Sequence, residues 1–408
     1  MSAQANTAYF STAETLSPSL LPVCVGFFFA FRLLCVLLVV RVLGRDATAG
    51  VAVSLALNYL LLAVAIFDSI GPAPRTLRSM LQVPCARWVL FFLCFTGCSL
   101  FWSVSASLPA AVAFWFAMAA DAALIALLLR TGPADAVVNA VMKGYVWGVC
   151  AIAAIAWLLP AESDLRLGDE ELLGPNQIGY ACAFAFFFAQ YLMLRKCGKW
   201  NAPAVLLALT MLRSLSKTTI IAFAVGQGYI LLRDRSISRK TKVLLAVFAL
   251  LIVAGFSSLL SNYYDIYITV GNHAETLTGR LEIWIYFLSE AIQKPWIGHG
   301  FHSVWKVIPP FGFLQFEARH AHNELLQQFY AYGVMGIFML VAVYGSLFRN
   351  LRRLRNSSVK TLFLGMLLFV LIRGLADTEA FDLSLPMWAI LLIGCVIEQV
   401  RAGREVSA

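Results

Sequence analysis

The sequence predicts an all-α integral membrane protein, a bundle of about twelve transmembrane helices with one large periplasmic loop that carries an amphipathic helix. Three observations predict it. Of the 408 residues, 61% are hydrophobic and only 13% charged, against about 45–50% and about 25% in a soluble domain. Apolar runs recur near the ~20 residues that cross a bilayer core, without the strict alternation of a strand barrel. Basic residues segregate between alternate loops, so the net charge of +9 reflects a cytoplasmic-loop bias and not a nucleic-acid partner. A soluble enzyme is excluded, and membrane lipids are the expected surroundings. The nine cysteines include no C-x-x-C pair, so no disulfide framework is implied.

Residues 1–18 contain no Lys or Arg, so the first apolar run lacks the basic leader of a cleavable signal and is expected to stay as a helix. The spans are placed at 20–40, 48–67, 88–104, 109–129, 142–159, 177–194, 202–213, 217–232, 243–261, 323–348, 361–374 and 385–399. Arg213-Ser214-Leu215-Ser216-Lys217 splits the seventh from the eighth, a cluster too polar for mid-membrane unless it lines a cavity or lies at the surface. With no internal repeat, residues 1–408 read as one polytopic domain.

Orientation follows from the cations, because loops rich in Lys and Arg stay in the cytoplasm. Twenty of the 31 fall in one set of loops, among them Arg130 and Lys143, Arg195 to Lys199, Arg233 to Lys242, and Arg349 to Lys360. Ten fall in the other, which also holds the acidic stretch Glu162 to Glu171. Both termini are therefore expected in the cytoplasm, with the second set of loops on the opposite, periplasm-like side. Within the bundle, Arg32 and Asp121 are costly unless paired, which predicts an ion pair between them; a proton path is the alternative.

The connection 262–322 is out of scale with the other loops, and long ordered loops tend to be functional. It holds all five histidines, His273, His299, His302, His320 and His322. Leu281, Trp284, Ile285, Leu288 and Ile292 fall at helical spacing, with Glu282, Ser289, Glu290 and Gln293 opposite, which predicts an interfacial amphipathic helix ended by Lys294-Pro295.

Chemistry is sought among the cations on the acidic side, since an Arg there opposes the charge bias and wants an anion. Arg213 and Lys217 are four apart, and Arg280 follows Thr278-Gly279 at the start of the amphipathic helix, where a helix N-terminus already favours anions. Together they suit a diphosphate clamp; each alone could equally snorkel to lipid headgroups. His322 stands where the large loop enters a helix, with Asn323 as its candidate cap, and a neutral imidazole at a wet membrane edge can serve as a general base. Glu324 is a possible support. Tyr263 and Tyr264, with Tyr267, could stack on sugar faces or simply line the interface. His299-x-x-His302 and His320-x-His322 could offer four nitrogens to a metal, but no H-E-x-x-H is present and neither pair lies in a long helix, so no metal and no cofactor is expected.

Several motifs, in order over roughly residues 90–345, resemble the O-antigen ligase and polysaccharide polymerase superfamily of bacterial inner membranes. They are Phe101-Trp102-Ser103, Gly174-Pro175-Asn176-Gln177, Ser214-Leu215-Ser216-Lys217-Thr218, Leu277-Thr278-Gly279-Arg280 with Trp284, Pro295-Trp296-Ile297-Gly298-His299-Gly300-Phe301, and His322-Asn323-Glu324-Leu325-Leu326 followed by Gly333 and Gly336. The serine-lysine-threonine and leucine-threonine-glycine-arginine pieces look most like exopolysaccharide polymerases, although Pro175 occupies a place where those often carry a basic residue.

The resemblance implies a glycosyltransferase whose donor glycan rides on undecaprenyl diphosphate, with phosphate binding at Arg213 and Arg280 and catalysis or acceptor contact at His322. The acceptor would be a lipid-linked repeat unit in a polymerase or the lipid A core in a ligase. A transporter or flippase is the reading from another class, but broken helices usually recur in both halves of a transporter and here only one half has one.

Overall fold

A computed structural model describes residues 20–70, 81–160, 165–169, 172–236, 238–255, 261, 277–310, 318–379 and 381–402. Among the described residues there are thirteen α-helices and no strand beyond one isolated bridge, Asp169 with Leu173. They are α1 (Leu20–Arg41), α2 (Ala47–Asp68), α3 (Ala86–Cys98, continued by a 3-10 turn Ser99–Phe101), α4 (Leu108–Thr131), α5 (Ala134–Leu158), α6 (Pro175–Leu194), α7 (Asn201–Arg213), α8 (Lys217–Arg233), α9 (Arg239–Gly255), α10 (Leu277–Gln293), α11 (Glu324–Arg352), α12 (Ser358–Gly374) and α13 (Met387–Arg401). Each of the twelve expected spans overlaps one of these helices, and α10 is the expected amphipathic helix. Six of them, α1, α2, α4, α5, α6 and α11, are long and apolar enough to cross a membrane.

Helix starts follow local chemistry. Asp46, Ser107, Asn323 and Ser357 each accept a backbone N–H two or three residues into the following helix, satisfying donors that a helix leaves open at its first turn. Pro175 opens α6, where it lacks only an N–H that would have had no partner. One boundary is corrected. The fifth helix begins at Ala134, not at 142, because Gly132-Pro133 is the break, and Lys143 therefore lies within α5 and not in a loop.

The core is packed around α5, α6 and α13, with Phe184, Phe187, Phe188 and Trp388 fully buried. Helix α1 crosses α5 at backbone distance: a Cβ on Gly26 would lie 2.0 Å from the Val141 carbonyl oxygen, and one on Gly144 2.0 Å from that of Val23. Small residues at such crossings are what membrane helices use to approach closely. Arg32 and Asp121 form the expected ion pair between α1 and α4, and Asn58 of α2 donates to the second carboxylate oxygen at 3.0 Å.

The connections gather at two ends. At one, Arg41 pairs with Asp169 at 2.8 Å, Val104 N–H donates to the His299 carbonyl at 3.0 Å, and Arg280 donates to the Ala376 carbonyl at 2.6 Å. At the other, Arg195 faces Asp135 at 3.8 Å, Ser358 donates to Asp234 at 3.1 Å and Arg401 to Asn350 at 2.8 Å. The first end collects the loops poorer in Lys and Arg, and it carries the candidate site.

The apolar face of α10 is turned outward, as in a helix lying at an interface. Leu281, Ile285, Leu288 and Ile292 are exposed, at 47–66%, whereas Ile283, Phe287 and Ala291 are buried against α11 beside Tyr330. Only Trp284 of the expected set packs inward, donating its indole N–H to the Ala321 carbonyl at 3.0 Å. Periodicity finds the longest apolar stripe, but a helix at a bilayer edge can turn that stripe to lipid and pack a second one on protein.

Candidate active site

Two structures build the site. The first is a clamp of backbone. Gly333 interrupts α11 at φ +63°, and residues 295–300 run against the break: Val334 N–H donates to the Pro295 carbonyl at 2.7 Å, His299 N–H to that of Tyr330 at 3.0 Å, and Gly300 N–H to that of Ala331 at 2.7 Å. A Cβ on Gly298 would sit 2.4 Å from Tyr332 N, and one on Gly333 2.4 Å from Trp296 C. The paired glycines of the sequence are thus the two halves of one contact, which a side chain on either would separate.

The second is a cluster of charge. Asn323 caps α11, accepting from Leu326 N–H at 3.0 Å, and its amide donates to the Leu375 carbonyl at 2.9 Å, tying the start of α11 to the end of α12. His322, one residue earlier, has φ +52° and places Nδ1 3.5 Å from Asp377 Oδ1. Asp377 Oδ2 pairs with Arg373 at 2.9 Å, and Arg373 also reaches Glu379 at 3.1 Å and lies 4.0 Å from the centre of the Tyr180 ring. Burial opposes ionisation of Asp377, but the Arg373 guanidinium overrides it and holds the carboxyl far below the usual carboxylate range. The imidazole of His322 therefore faces a carboxylate that stays charged.

Arg280 enters from the first turn of α10. Its Nη1 donates to the carbonyl of Ala376, next to Asp377, and lies 3.4 Å from Thr218 Oγ1, so one guanidinium bridges the first turn of α8 and the segment after α12. Its Nε is buried without a partner among the described residues. A guanidinium presents five donors, and those left over suit an anion.

The other expected residues are placed differently. Arg213, at the end of α7, donates to the carbonyl of Leu165. Lys217 is exposed at the start of α8, beside the threonine that Arg280 reaches. The Glu324 carboxylate is taken up inside the bundle, accepting from Tyr344 Oη at 2.8 Å and from Ser384 N–H at 2.7 Å, so its supporting role is to lock α11 to the entrance of α13. Tyr263 and Tyr264 lie outside the described residues, as do Tyr267 and His273.

Three residues of this end were not among the candidates, Arg373, Asp377 and Glu379, and His320 was weighed only as a metal ligand. Arg373 and Asp377 had a signal, an i, i+4 pair of opposite charge at the end of an apolar helix. His320 stacks edge-on to His322 with ring centres 4.2 Å apart. His320, His322 and Asp377 bring potential ligand atoms within 4.8 Å of one another, yet Arg373 already balances the carboxylate. His299 and His302 are packing groups: His299 stacks on Tyr330 at 4.5 Å, and His302 on Phe381 at 5.0 Å and Phe114 at 5.4 Å. Beside His302 lies a cavity of about 10 Å³ bordered by polar Ser303, Gln328, Glu379 and Asp382 and by apolar Phe301 and Phe381, room for about one water.

A polytopic helical membrane protein with two arginines, a histidine and a buried carboxylate at one end of its bundle is the class that fold and site define. Comparison with known proteins gives the family. Residues 202–341 match the family model described as O-Antigen ligase. The chain is 30% identical over 345 residues to an O-antigen ligase of Pseudomonas aeruginosa, covering 80% of this chain and 79% of that protein. It is 25% identical over 312 residues, 69% of this chain and 70% of the relative, to the exopolysaccharide production protein ExoQ of Rhizobium meliloti. The chain belongs to the O-antigen ligase family, whose members act as glycosyltransferase-like membrane enzymes. The matched region includes Arg213, Lys217, Arg280 and His322, whereas Arg373 and Asp377 lie beyond it.

Proposed function

We propose that this chain transfers a glycan from undecaprenyl diphosphate to an acceptor sugar at the periplasmic face of the bacterial inner membrane, without a metal and with inversion at the anomeric carbon. The observation that carries this reading is the meeting of Arg280, with donors to spare, and His322, faced by a charged Asp377, at the end of the bundle poorer in basic loops. In the reaction an acceptor hydroxyl attacks the anomeric carbon of the donor. His322 takes the hydroxyl proton at Nε2, because Nδ1 is turned to Asp377, and the bond from the anomeric carbon to the phosphate oxygen breaks as the glycosidic bond forms. Undecaprenyl diphosphate leaves with its charge held by Arg280, assisted by Arg213 and Lys217. Cations placed where charge develops, plus one base, are what such a transfer needs.

Two acceptors divide the reading. The motif flavour and the relative named for exopolysaccharide production support a polymerase, which adds the chain to a lipid-linked repeat unit. The family model and the relative at 30% identity support a ligase, which adds it to the lipid A core. A deletion strain separates them by glycan length. Single repeat units without chains are the polymerase result; full-length chains left on the carrier are the ligase result. Unaltered surface glycan would overturn both.

A further inference from the structure

The segment between the large loop and α11 is held by several backbone hydrogen bonds. Ala321 N–H donates to Gln327 Oε1 at 2.8 Å, the Ala321 carbonyl accepts from Trp284, and the Asn323 carbonyl accepts from Gln327 N–H at 2.8 Å. The backbone N–H of His322 in turn points at Nδ1 of His320, 3.3 Å away. His322 needs such restraint. At φ +52° it occupies the left-handed region, which costs a residue with a Cβ roughly 1–2 kcal/mol and persists only where the surroundings impose it.

We infer that His320 is a positioning residue for His322: its Nδ1 lone pair holds the His322 backbone N–H, keeping that residue in the left-handed turn that aims its imidazole at Asp377. The role requires Nδ1 to remain unprotonated. Burial pushes His320 down to about 3, and the neighbouring His322, Arg373 and Arg280 push the same way against the opposing pull of Asp377. His320 therefore stays neutral, with its proton on Nε2 and its acceptor available, throughout the range in which a cell works. It cannot itself take the acceptor proton while its lone pair is engaged. This rests on the reading of His322 as the base.

The test uses purified full-length protein, with lipid-linked donor binding and turnover measured separately for each variant. His320→Ala frees the turn and should lower turnover by about 10²-fold, the usual result of a small misplacement of a catalytic group, with donor affinity unchanged. His320→Asn restores an acceptor near the Nδ1 position and should recover turnover to within about tenfold of the parent. His320→Leu fills the space without an acceptor and should behave as alanine does. Because burial pushes His320 down to about 3, below the working range of the assay, the pH profile of His320→Asn should superimpose on that of the parent. If the alanine variant keeps full turnover, or asparagine is no better than leucine with all variants folded, the inference fails. If His322→Ala in the same assay is fully active, the base reading itself fails, which is a different result.

Discussion

The clamp at Gly333 and the cluster at Arg373 adjoin the same loop but are made of different material. In the clamp, residues 295–300 and the break in α11 meet backbone to backbone, and side chains matter chiefly by being absent. In the cluster, the backbone serves to bring together His322, Asp377, Arg373 and Arg280, and every contact that counts involves charge. A clamp of this sort holds geometry and tolerates no bulk. A cluster of this sort stores electrostatic energy and tolerates no loss of a partner.

The largest effect should follow from breaking the cluster. Asp377→Ala leaves Arg373, 2% exposed, with Glu379 as its remaining carboxylate, and removal of one partner from a buried pair costs about 3–5 kcal/mol. A marked fall in the thermal midpoint of the purified protein is expected, together with loss of turnover; Asp377→Asn, which keeps the shape, should lose turnover with a smaller fall in midpoint. Next comes the clamp. Gly333→Ala puts a Cβ at positive φ against Trp296 and should cost about 1–3 kcal/mol, again read as the midpoint, while turnover per folded molecule falls by less than in either Asp377 variant. Were Gly333→Ala to abolish turnover without loss of midpoint, the division of labour would be wrong.

The smallest effect is expected at the rim of the cluster. Asp382 accepts from Leu383 N–H at 2.7 Å, yet burial pushes its carboxyl up to about 7. A carboxyl whose folded value is raised favours folding while protonated and loses that contribution as pH rises from about 4 through about 7. Asp382→Asn, which never ionises, should therefore raise the midpoint by about 2–4 °C at pH 8 and leave it unchanged near pH 4. An equal shift at both pH values would assign the effect to packing.

The two regions were also unequally legible. The apolar runs announced the helices because burial in lipid demands long apolar stretches, whereas the glycines at 298, 300 and 333 stood in the sequence only as pieces of the family motifs, and their close approach came with the fold. Arg280 and His322 stood out as polar residues at helix starts. Asp377 and Arg373 were harder to read, since a carboxylate and a guanidinium near a helix end look like any surface pair until the fold buries them. The apolar stripe of α10 was legible as an interfacial one, whereas the second stripe, Ile283, Phe287 and Ala291, which packs on α11, was not, because periodicity reports that a face is apolar and not whether protein or lipid receives it. Glu324, next to the cap, read as a possible support, but its partners, Tyr344 and the Ser384 N–H, could not be read from the sequence because they come from distant stretches of the chain.

If Arg280 holds the donor while His322 performs the proton transfer, one measurement separates these jobs. With purified protein and lipid-linked donor, affinity and single-turnover rate are determined in parallel for Arg280→Lys and His322→Ala. An ammonium keeps the charge of Arg280 but not its paired, parallel donors, so Arg280→Lys should bind donor more weakly. His322→Ala should bind it normally and turn it over about 10²–10⁴-fold more slowly. Loss of donor binding in His322→Ala, or near-normal turnover by it, would contradict the claim.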